Sequence, residues 1–439
     1  MQQNQTADEG LRQVSSARAS ARRVLVGATA GHVVEHYDYN TFGVMTVFLA
    51  PLFFPKQSPT VGILYTLAIF AIPFVFRPLG GILFGLIGDR LGRRRSLILS
   101  VTLMGLGSGL IGVLPTYGNV GYWAALLLVV LRLLQTLSAG GETGGTTTYV
   151  VESAPAGRRG WFGGILGVGP IAGLGLASTI ILVMTSTLSS QQISGWAWRI
   201  PFLLALPLAG IALYIRLRLE ESPAFERARA SDTLVRRPVR HSLTHEWRGV
   251  AQVFGLCVVQ SVGGYLVTSY AITYLTTQAG FSKQSAAILT TTTIVIGLIY
   301  IPLIGKLADR VGRKPITAVA HIGFIVLTVP MFLVLTESAG NLGLALVAYL
   351  LLTAPTYLLF GVGFTMYAEL FPASVRFTAM SLGFNAAVIL GGVAPFLSSF
   401  LIRLTGSALV PGFMVMVAGV ISLLVLRTTR ETGKSELAA

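Results

Sequence analysis

The sequence GLIGDRLGRRR at residues 85–95 returns 220 residues later as GKLADRVGRK at residues 305–314. Each copy follows a long apolar run and precedes another, so each is a short charged hairpin between two apolar segments. The chain has 439 residues, and one copy therefore falls in each half. The same hairpin at the same place in two halves predicts a duplicated helical bundle, and parallel repeats are typical of secondary transporters that hold a substrate between their halves.

The composition indicates a membrane protein. Hydrophobic residues make up 53% of the chain and charged residues 11%, whereas soluble domains are about 25% charged. Runs long enough to cross a bilayer, about 20 residues each, occur at 24–50, 61–88, 97–115, 122–151, 161–187, 200–219, 250–278, 286–306, 316–336, 343–367, 377–403 and 408–427. We therefore expect an all-α membrane protein with twelve transmembrane helices in two pseudo-symmetric six-helix bundles.

The distribution of basic residues predicts the orientation. Most of the 32 lysines and arginines fall in predicted loops on the side of both termini, and only Lys56, Arg199, Lys283 and Arg403 fall in loops on the other side. By the positive-inside rule the termini are cytoplasmic, in a multi-pass protein of the cell membrane. This placement also accounts for the net charge of +15, so we expect no nucleic-acid partner. The predicted parts are a cytoplasmic N-terminal tail (1–23), an N-terminal bundle (24–219), a cytoplasmic linker (220–248), a C-terminal bundle (249–427) and a cytoplasmic C-terminal tail (428–439).

Charged residues at the helix ends predict a cytoplasmic gate. The pattern E-x-x-P-x-x-x-R follows the fourth helix and returns after the tenth. An aspartate of a hairpin can lie against the positive N-terminus of a neighbouring helix, while arginines pair with acids at other helix ends. Ion pairs that break and re-form would open and close such a gate; the alternative is that the charges only anchor the topology. The predicted gate residues are Asp89, Arg93, Glu152, Arg159, Asp309, Arg313, Glu369 and Arg376.

Ionisable residues within the predicted helices of the N-terminal half point to a proton-coupling site. Such groups are costly in a bilayer and usually mark a pathway. A rise of about 1.5 Å per residue places Glu35, Arg77 and Glu142 at a similar depth, near the midplane. Glu35 and Asp38 share one helix face, and two buried carboxyl groups close together favour keeping a proton. The predicted proton-coupling residues are Glu35, Asp38, Glu142, His32 and His36.

For these residues a structural interpretation stays open. The two acids of the first helix could form permanent ion pairs with Arg77 or Arg132 that only hold helices together, and either histidine could simply be packed and hydrogen-bonded. With Glu35, Asp38, Glu142, Arg77 and Arg132 all ionised, the cluster has a net charge of −1. Protonation would therefore favour entry of an anion or a zwitterion, which is the logic of symport.

The predicted substrate-binding residues come from both halves. Arg77 and Arg132 suit a carboxylate, since a guanidinium group binds it bidentately and stays charged; each could instead neutralise a neighbouring acid. The membrane interior of the C-terminal half is uncharged and rich in tyrosine, which suits hydrogen bonding or cation–π contact with a substrate, although any one tyrosine could be packing. The full set is Arg77, Arg132, Tyr39, Gln135, Tyr265, Tyr270 and Tyr357.

Several motifs carry a resemblance to a known family. They include GHVVEHYDY at residues 31–39, RPLGG at 77–81, RLLQ at 132–135 followed by SAGGE at 138–142, WAWRIPF at 196–202 and LEESPAF at 219–225. With the hairpins, they make the chain resemble the major facilitator superfamily, and within it the metabolite:proton symporter branch, which includes permeases for organic acids and zwitterionic osmolytes. The resemblance implies twelve helices in two bundles and rocker-switch alternating access. His32 and His36 depart from the branch, which usually has Asn and Trp at these positions.

We therefore expect proton-coupled uptake of a small organic carboxylate or zwitterionic metabolite by alternating access. An antiporter that exports a drug or metabolite is the alternative, because GVGPIAG at residues 167–173 approaches the kink motif of proton-driven exporters. A non-transporting sensor is a further alternative. No enzyme constellation, metal site or nucleotide motif is present in the sequence, so we expect no enzyme activity and no cofactor. The expected coupling ion is the proton. The expected partners are the substrate, protons and the lipid bilayer, with the protein acting as a monomer.

Overall fold

The computed structural model describes residues 24–38, 40–91, 93–155, 157–217, 238–338, 340–372 and 375–433. The secondary structure of these residues is helical, with no strand among them. Ten of the described helical segments are long and apolar enough to cross a membrane. A first helix that is described in pieces and the third helix complete a set of twelve.

The N-terminal half contains helices α1 to α6. Short helices at Tyr117–Val120 and Ser190–Gly195 lie before α4 and before α6. The bounds are 24–38, 40–44 and Thr46–Phe53 for α1, Pro59–Leu91 for α2, Arg93–Val113 for α3, Trp123–Ser153 for α4, Arg159–Thr187 for α5 and Ala197–Leu217 for α6.

The C-terminal half repeats this arrangement with helices α7 to α12. A short helix at Pro238–His245, inside the predicted linker, precedes α7. The bounds are Trp247–Val267 and Ala271–Thr277 for α7, Lys283–Val311 for α8, Arg313–Glu337 for α9, Leu342–Glu369 for α10, Arg376–Thr405 for α11 and Val410–Thr428 for α12. The prediction of twelve helices in two six-helix bundles is confirmed.

Helices α4 and α7 break over two or three residues where the sequence predicts continuous spans. Helix α4 consists of Trp123–Ala139 and Glu142–Ser153, and the break is at Gly140–Gly141. A Cβ atom on Gly140 would lie 2.2 Å from the Arg77 carbonyl oxygen, so a glycine is needed where α4 touches α2. Helix α7 stops at Val267 and resumes at Ala271. Broken helices at membrane depth are tolerated where they line a cavity, and transporters use them at substrate sites.

The two halves meet most closely along α5 with α8 and α2 with α11, and α10 also packs against α5. Small residues allow the backbones of α5 and α8 to come close, as is common between membrane helices. A Cβ atom on Gly305 of α8 would lie 2.4 Å from the Gly160 carbonyl oxygen of α5. This contact lies at the end of the molecule that carries Arg159, Asp309, Glu369 and Arg376, which we call the motif face.

Candidate transport site

Glu35 and Arg77 form the centre of a buried polar network between α1 and α2. The Arg77 Nη2 atom donates to Glu35 Oε1 at 3.1 Å and to the hydroxyl of Thr143 at 3.4 Å. Its Nε atom donates to the side-chain oxygen of Asn385 at 3.1 Å, which joins α2 to α11 of the other half. Glu35 is fully buried and Arg77 is 2% exposed. This contact brings together two of the three charges that the sequence predicts at a similar depth.

Asp38 belongs to a second network that leads to Arg132. The side-chain amide of Gln135 donates to both carboxylate oxygens of Asp38 at 3.2 Å and also to Ser108. The Arg132 Nη1 atom donates to the Gln135 oxygen at 3.0 Å. Gln135 thus bridges the acid and the guanidinium group, and Ser108 fixes the bridge to α3.

Arg132 is enclosed by aromatic rings. Its guanidinium carbon lies 4.6 Å from the centre of the Phe42 ring and 5.5 Å from that of Phe70, as in cation–π contacts. The residue is fully buried, and its Nε and Nη2 atoms have no hydrogen-bond partner among the described residues. Its position therefore favours a role in holding the Asp38 network over direct contact with a substrate.

Glu142 pairs with Arg216, a residue that is not among the sites predicted from sequence. The two side chains form an ion pair between α4 and α6, and both residues are buried. Arg216 lies at the end of the predicted run 200–219, next to the charged linker, and is therefore counted with the basic residues of the cytoplasmic side. The expected cluster charge of −1 is therefore wrong. Three carboxylates face three guanidinium groups, so the ionised cluster is neutral and one added proton makes it +1.

The two histidines lie on the same side of α1. The His36 Nδ1 atom lies 2.9 Å from the His32 carbonyl oxygen, to which it must donate, since that oxygen can only accept. The same nitrogen is 4.0 Å from Glu35 Oε2. His32 is fully buried, with its ring centre 5.9 Å from that of Phe364, and neither ring nitrogen has a hydrogen-bond partner among the described residues. This burial favours the packing interpretation for His32.

Two adjoining cavities reach these networks, and Arg77 lines both. The smaller, of about 240 Å³ including its open part, is bordered by Glu35, Asp38 and Gln135. The larger, of about 560 Å³ including its open part, lies between the halves. Its polar wall includes His36 and Gln260, and the gap in α7 contributes Thr268 and Ser269. Its apolar wall includes Tyr265, Phe360, Phe364, Phe384, Pro170, Ile171, Leu174 and Val388.

The tyrosines predicted to bind substrate occupy different environments in the structure. Tyr265 lines the larger cavity and packs against Phe74 at 5.3 Å between ring centres. Tyr270 bonds to the Ser399 hydroxyl at 2.6 Å, and the ring of Tyr357 packs against Gly297. Neither Tyr270 nor Tyr357 is among the described residues that line the two cavities. Tyr39 lies outside the described residues.

At the motif face, Glu369 of α10 gathers arginines from both halves. Arg159 of α5 donates to its Oε1 atom at 3.1 Å. Arg313 of α9 binds both of its oxygens, with two contacts of 3.2 Å. Arg313 also lies 3.1 Å from Asp309, four residues earlier. The bidentate geometry is the strong arrangement for this kind of pair.

A second pair repeats the first across the pseudo-symmetry. Arg376 of α11 donates to Glu152 of α4 at 2.6 Å. Each E-x-x-P-x-x-x-R copy therefore supplies the acid for the arginine of the other copy. We call Glu152, Arg159, Arg313, Glu369 and Arg376 the latch, and its two cross-half pairs join the halves at the motif face in this structure.

Asp309 of the second hairpin caps α5 across the half boundary. Its two carboxylate oxygens accept from the backbone N–H groups of Gly160 at 2.7 Å and Trp161 at 2.9 Å. An anion at these exposed donors is favoured by the helix dipole, so the predicted aspartate–helix contact is confirmed for this copy. In the first hairpin, Asp89 corresponds to Asp309 and Arg93 to Arg313. The side chains of Asp89 and Arg93 lie outside the described part of the chain.

Part of the predicted C-terminal tail docks onto the latch. The Glu431 carboxylate accepts from the backbone N–H groups of Arg313, Lys314 and Gly433 at 2.7 to 2.9 Å. Partial burial opposes its ionisation, but these three donors prevail and lower the pKa of Glu431. The Thr432 hydroxyl donates to Glu369 at 2.7 Å. Gly312 has a φ of 102° at the start of α9, where a Cβ atom would lie 2.7 Å from the Glu431 carboxylate.

Asn385 is the other site residue that the sequence predictions omit. It is the only asparagine, glutamine or charged residue between Arg376 and Arg403 in an otherwise apolar helix. A lone amide in such a run is a usable signal, because a polar group inside a membrane helix needs a partner.

Comparison with known proteins decides the family. The chain matches the model described as sugar (and other) transporter over residues 24–439. The chain belongs to this transporter family. Its placement in the major facilitator superfamily is confirmed, and so is its character as a membrane transporter that is not an enzyme.

Three relatives illustrate the branch. The glycine betaine/proline/ectoine/pipecolic acid transporter OusA of Dickeya dadantii is 32% identical over 95% of this chain and 84% of its own length. The ectoine/proline transporter ProP of Corynebacterium glutamicum is 33% identical over 93% and 85%. The shikimate transporter of Escherichia coli is 34% identical over 90% of each chain. These names are consistent with the metabolite:proton symporter branch.

Solved structures share the fold. The proton:xylose symporter XylE bound to 6-bromo-6-deoxy-D-glucose matches with a TM-score of 0.77 at 20% identity, over 95% of this chain and 98% of that one. The inward-open conformation of XylE from E. coli matches with a TM-score of 0.71 at 19% identity, over the same shares. At this identity the likeness concerns the architecture alone.

Proposed function

We propose that this protein takes up a small zwitterion or organic carboxylate together with a proton. The observation that supports this proposal is the buried cluster of the N-terminal half, in which three acids face three arginines beside a cavity between the halves. When all six groups are ionised, the cluster has no net charge to attract a substrate anion. When one acid binds a proton, the cluster gains one positive charge beside the cavity.

The walls of the larger cavity suit both ends of a zwitterion. Arg77 provides a guanidinium group for a carboxylate. Tyr265, Phe360, Phe364 and Phe384 provide rings that attract a cationic nitrogen, as aromatic cages do for quaternary ammonium groups. Proline, glycine betaine and ectoine each combine a carboxylate with a cationic group, and the relatives named for them support this class of substrate. Shikimate, which has only the carboxylate, is the organic-acid alternative.

We also propose that the motif face is cytoplasmic and that one chain forms the complete transport unit. Basic residues are concentrated in the loops of this face, as the positive-inside rule requires. Both halves contribute to the larger cavity, so no second copy is needed to complete it. The five-part division at residues 23, 219, 248 and 427 remains our proposal for the domain boundaries. With the latch closed in this structure, the transport cycle would open it to release the substrate inward.

Uptake into proteoliposomes tests the proposal. The purified protein is reconstituted, and accumulation of labelled proline, glycine betaine, ectoine and shikimate is measured with the outside acidic or the inside acidic. A symporter accumulates substrate when the outside is acidic, and the pH inside falls as it does so. One charge moved through 100 mV is worth about 2.3 kcal/mol, which corresponds to an accumulation of about 50-fold.

The same experiment separates the alternatives. An antiporter would accumulate substrate when the inside is acidic, and the proposed direction of coupling would then be wrong. Binding of a substrate without any flux would instead support a sensor. The substitution Tyr265→Phe should keep the affinity for a quaternary ammonium substrate within about threefold, since the ring remains, whereas Tyr265→Ala should weaken it by about tenfold or more.

A further inference from the structure

Asn385 connects the charged cluster of one half to the backbone of the other. Its side-chain oxygen accepts from Arg77 Nε at 3.1 Å, and its side-chain amide donates to the Gly140 carbonyl oxygen at 2.9 Å. Arg77 and Gly140 belong to α2 and α4 of the N-terminal half, whereas Asn385 belongs to α11. One buried amide thus fixes α11 to two helices of the opposite bundle.

The hydrogen bonds of Asn385 join the two halves on the motif-face side of the larger cavity. Its neighbours Phe384 and Val388 line the larger cavity. Towards the motif face, the same helix contacts α4 through Ser381, which packs against Gly144. Asn385 therefore lies at the motif-face end of the cavity, where the halves must separate before a substrate can leave on that side.

Arg77 is shared between Asn385 and the acid that is placed to take up a proton. Its Nη2 atom bonds to Glu35 while its Nε atom bonds to Asn385. An ionised Glu35 holds the guanidinium group where its Nε atom reaches Asn385. A protonated Glu35 holds it less strongly, because the guanidinium group then bonds to a neutral acceptor and the ion pair is lost. Arg77 then becomes free to turn towards Asp38, which borders the smaller cavity with it, or towards a substrate carboxylate.

We infer that Asn385 is the coupling residue through which protonation of Glu35 releases the C-terminal half from the N-terminal half. The inference rests on the proposed function, since it supplies that function with a mechanical link between the proton and the motif face. Asn385 need not touch the substrate or carry a proton. It acts by positioning α11 against Arg77 and Gly140.

Several charged or titratable groups near Glu35 can also influence the contact between Arg77 and Asn385. Arg77 faces it from α2, and the Glu142–Arg216 pair lies nearby from α4 and α6, where Gly31 of α1 contacts both members. On α1 itself, His36 is 4.0 Å away and Asp38 lies one turn further on. From the C-terminal half, the neutral Asn385 amide bonds to this cluster through Arg77, so a change in the Glu35 charge can reach α11 through that hydrogen bond.

Distance measurements across the motif face test the inference without requiring a known substrate. Spin labels are attached through cysteines at Arg95 and Arg427, which are exposed at motif-face ends of α3 and α12 and belong to neither the cluster nor the latch. The single native cysteine, Cys257, is buried. In the unsubstituted protein the open population should rise as the pH falls and Glu35 becomes protonated.

Two substitutions of Asn385 should change the dependence of the open population on pH in opposite directions. Asn385→Ala removes both contacts, so the open population at high pH should rise by about tenfold or more, the factor expected for losing a hydrogen bond to a charged group. Its dependence on pH should shrink accordingly. Asn385→Asp offers Arg77 a carboxylate that does not depend on Glu35, so opening should require a lower pH than in the unsubstituted protein.

Ser381→Ala is the matched control, because Ser381 lies one turn away on α11 at the same interface and has no described bond to the cluster. It should leave the pH profile unchanged. If Asn385→Ala and Asn385→Asp open with the same pH dependence as the unsubstituted protein, Asn385 is not the link. An equal shift in Ser381→Ala would also overturn the inference, since it would indicate general loosening of the interface. Absence of uptake in proteoliposomes, with the opposite shifts intact, would contradict the proposed function and leave the coupling inference standing.

Discussion

The two halves share one architecture but differ in the chemistry of their interiors. The N-terminal half buries three acids, three arginines and two histidines. In the C-terminal half, no residue between Lys314 and Arg427 is charged except Glu337, Glu369, Arg376 and Arg403, all at helix ends. Since desolvating a charge is expensive, a pseudo-symmetric fold has no structural need for such a cluster in one half only. The asymmetry supports the proposal that the N-terminal half binds the proton while the C-terminal half provides a neutral wall.

The motif face gives the opposite lesson, because there the two halves are equivalent. Glu152 pairs with Arg376 and Glu369 with Arg159, so each repeat contributes one acid and one arginine. Duplication preserved the latch, where both halves need the same contact, while the interiors diverged. Under the proposed function, the symmetric part of the molecule would control access while the asymmetric part supplies coupling.

The largest expected effect separates the two interiors. Glu35→Gln and Asp38→Asn should each reduce proton-driven accumulation to the equilibrium value of 1, because an amide cannot exchange a proton near neutral pH. Both variants should still insert and still exchange substrate across the membrane. The comparison variant is Thr328→Val in the C-terminal half, where the buried Thr328 hydroxyl bonds to the carbonyl groups of Phe324 and Gly412. It should accumulate substrate normally. Continued accumulation by both acid variants would assign the proton elsewhere.

The next effect concerns stability. Arg216→Ala leaves the Glu142 carboxylate buried without its partner, and breaking a buried pair in this way costs about 3–5 kcal/mol. The double variant Arg216→Met with Glu142→Gln removes both charges and should recover most of that loss. Thermal unfolding of the purified proteins measures both. If Arg216→Ala unfolds at the same temperature as the unsubstituted protein, the pair does not stabilise the N-terminal half.

These residues also show what sequence can predict. The hairpin repeat and the apolar runs fix the helix number and the two bundles, because both depend on spacing along the chain. The contacts of the cluster depend on distant residues: Arg77 and Asn385 are 308 positions apart, and Arg216 and Glu142 are 74 apart. Burial of Arg216 at the edge of an apolar run follows from a partner that the linear pattern does not reveal. The roles of the predicted site residues remain predictions until the experiments above test them.

A smaller effect tests the equivalence of the latch pairs. Glu369 accepts from Arg159, Arg313 and Thr432 and is almost fully buried, whereas the Glu152 side chain is 28% exposed and accepts from Arg376. Glu369→Gln should therefore destabilise the closed motif face by about 3 kcal/mol, and Glu152→Gln by about 1 kcal/mol, because partly exposed pairs contribute less. The labels at Arg95 and Arg427 report both. Equal shifts would mean that the two pairs share the closing energy despite their different burial.

The smallest effect belongs to the docked C-terminal segment, where the C-terminal half has a contact without a described counterpart in the N-terminal half. The pKa of Glu431 is lowered in the folded protein, so its contribution is present above the ordinary carboxyl pKa of about 4.5 and is lost as the pH falls through the lower folded value. Docking of residues 429–433 should therefore persist at neutral pH and weaken in acid. Glu431→Gln should remove this pH dependence and cost about 1 kcal/mol, as for other charged groups that cap helix N-termini. Hydrogen exchange at the amides of Arg313 and Lys314 measures the docking directly. Protection that is unchanged in Glu431→Gln would show that Thr432, and not the carboxylate, holds the segment against Glu369.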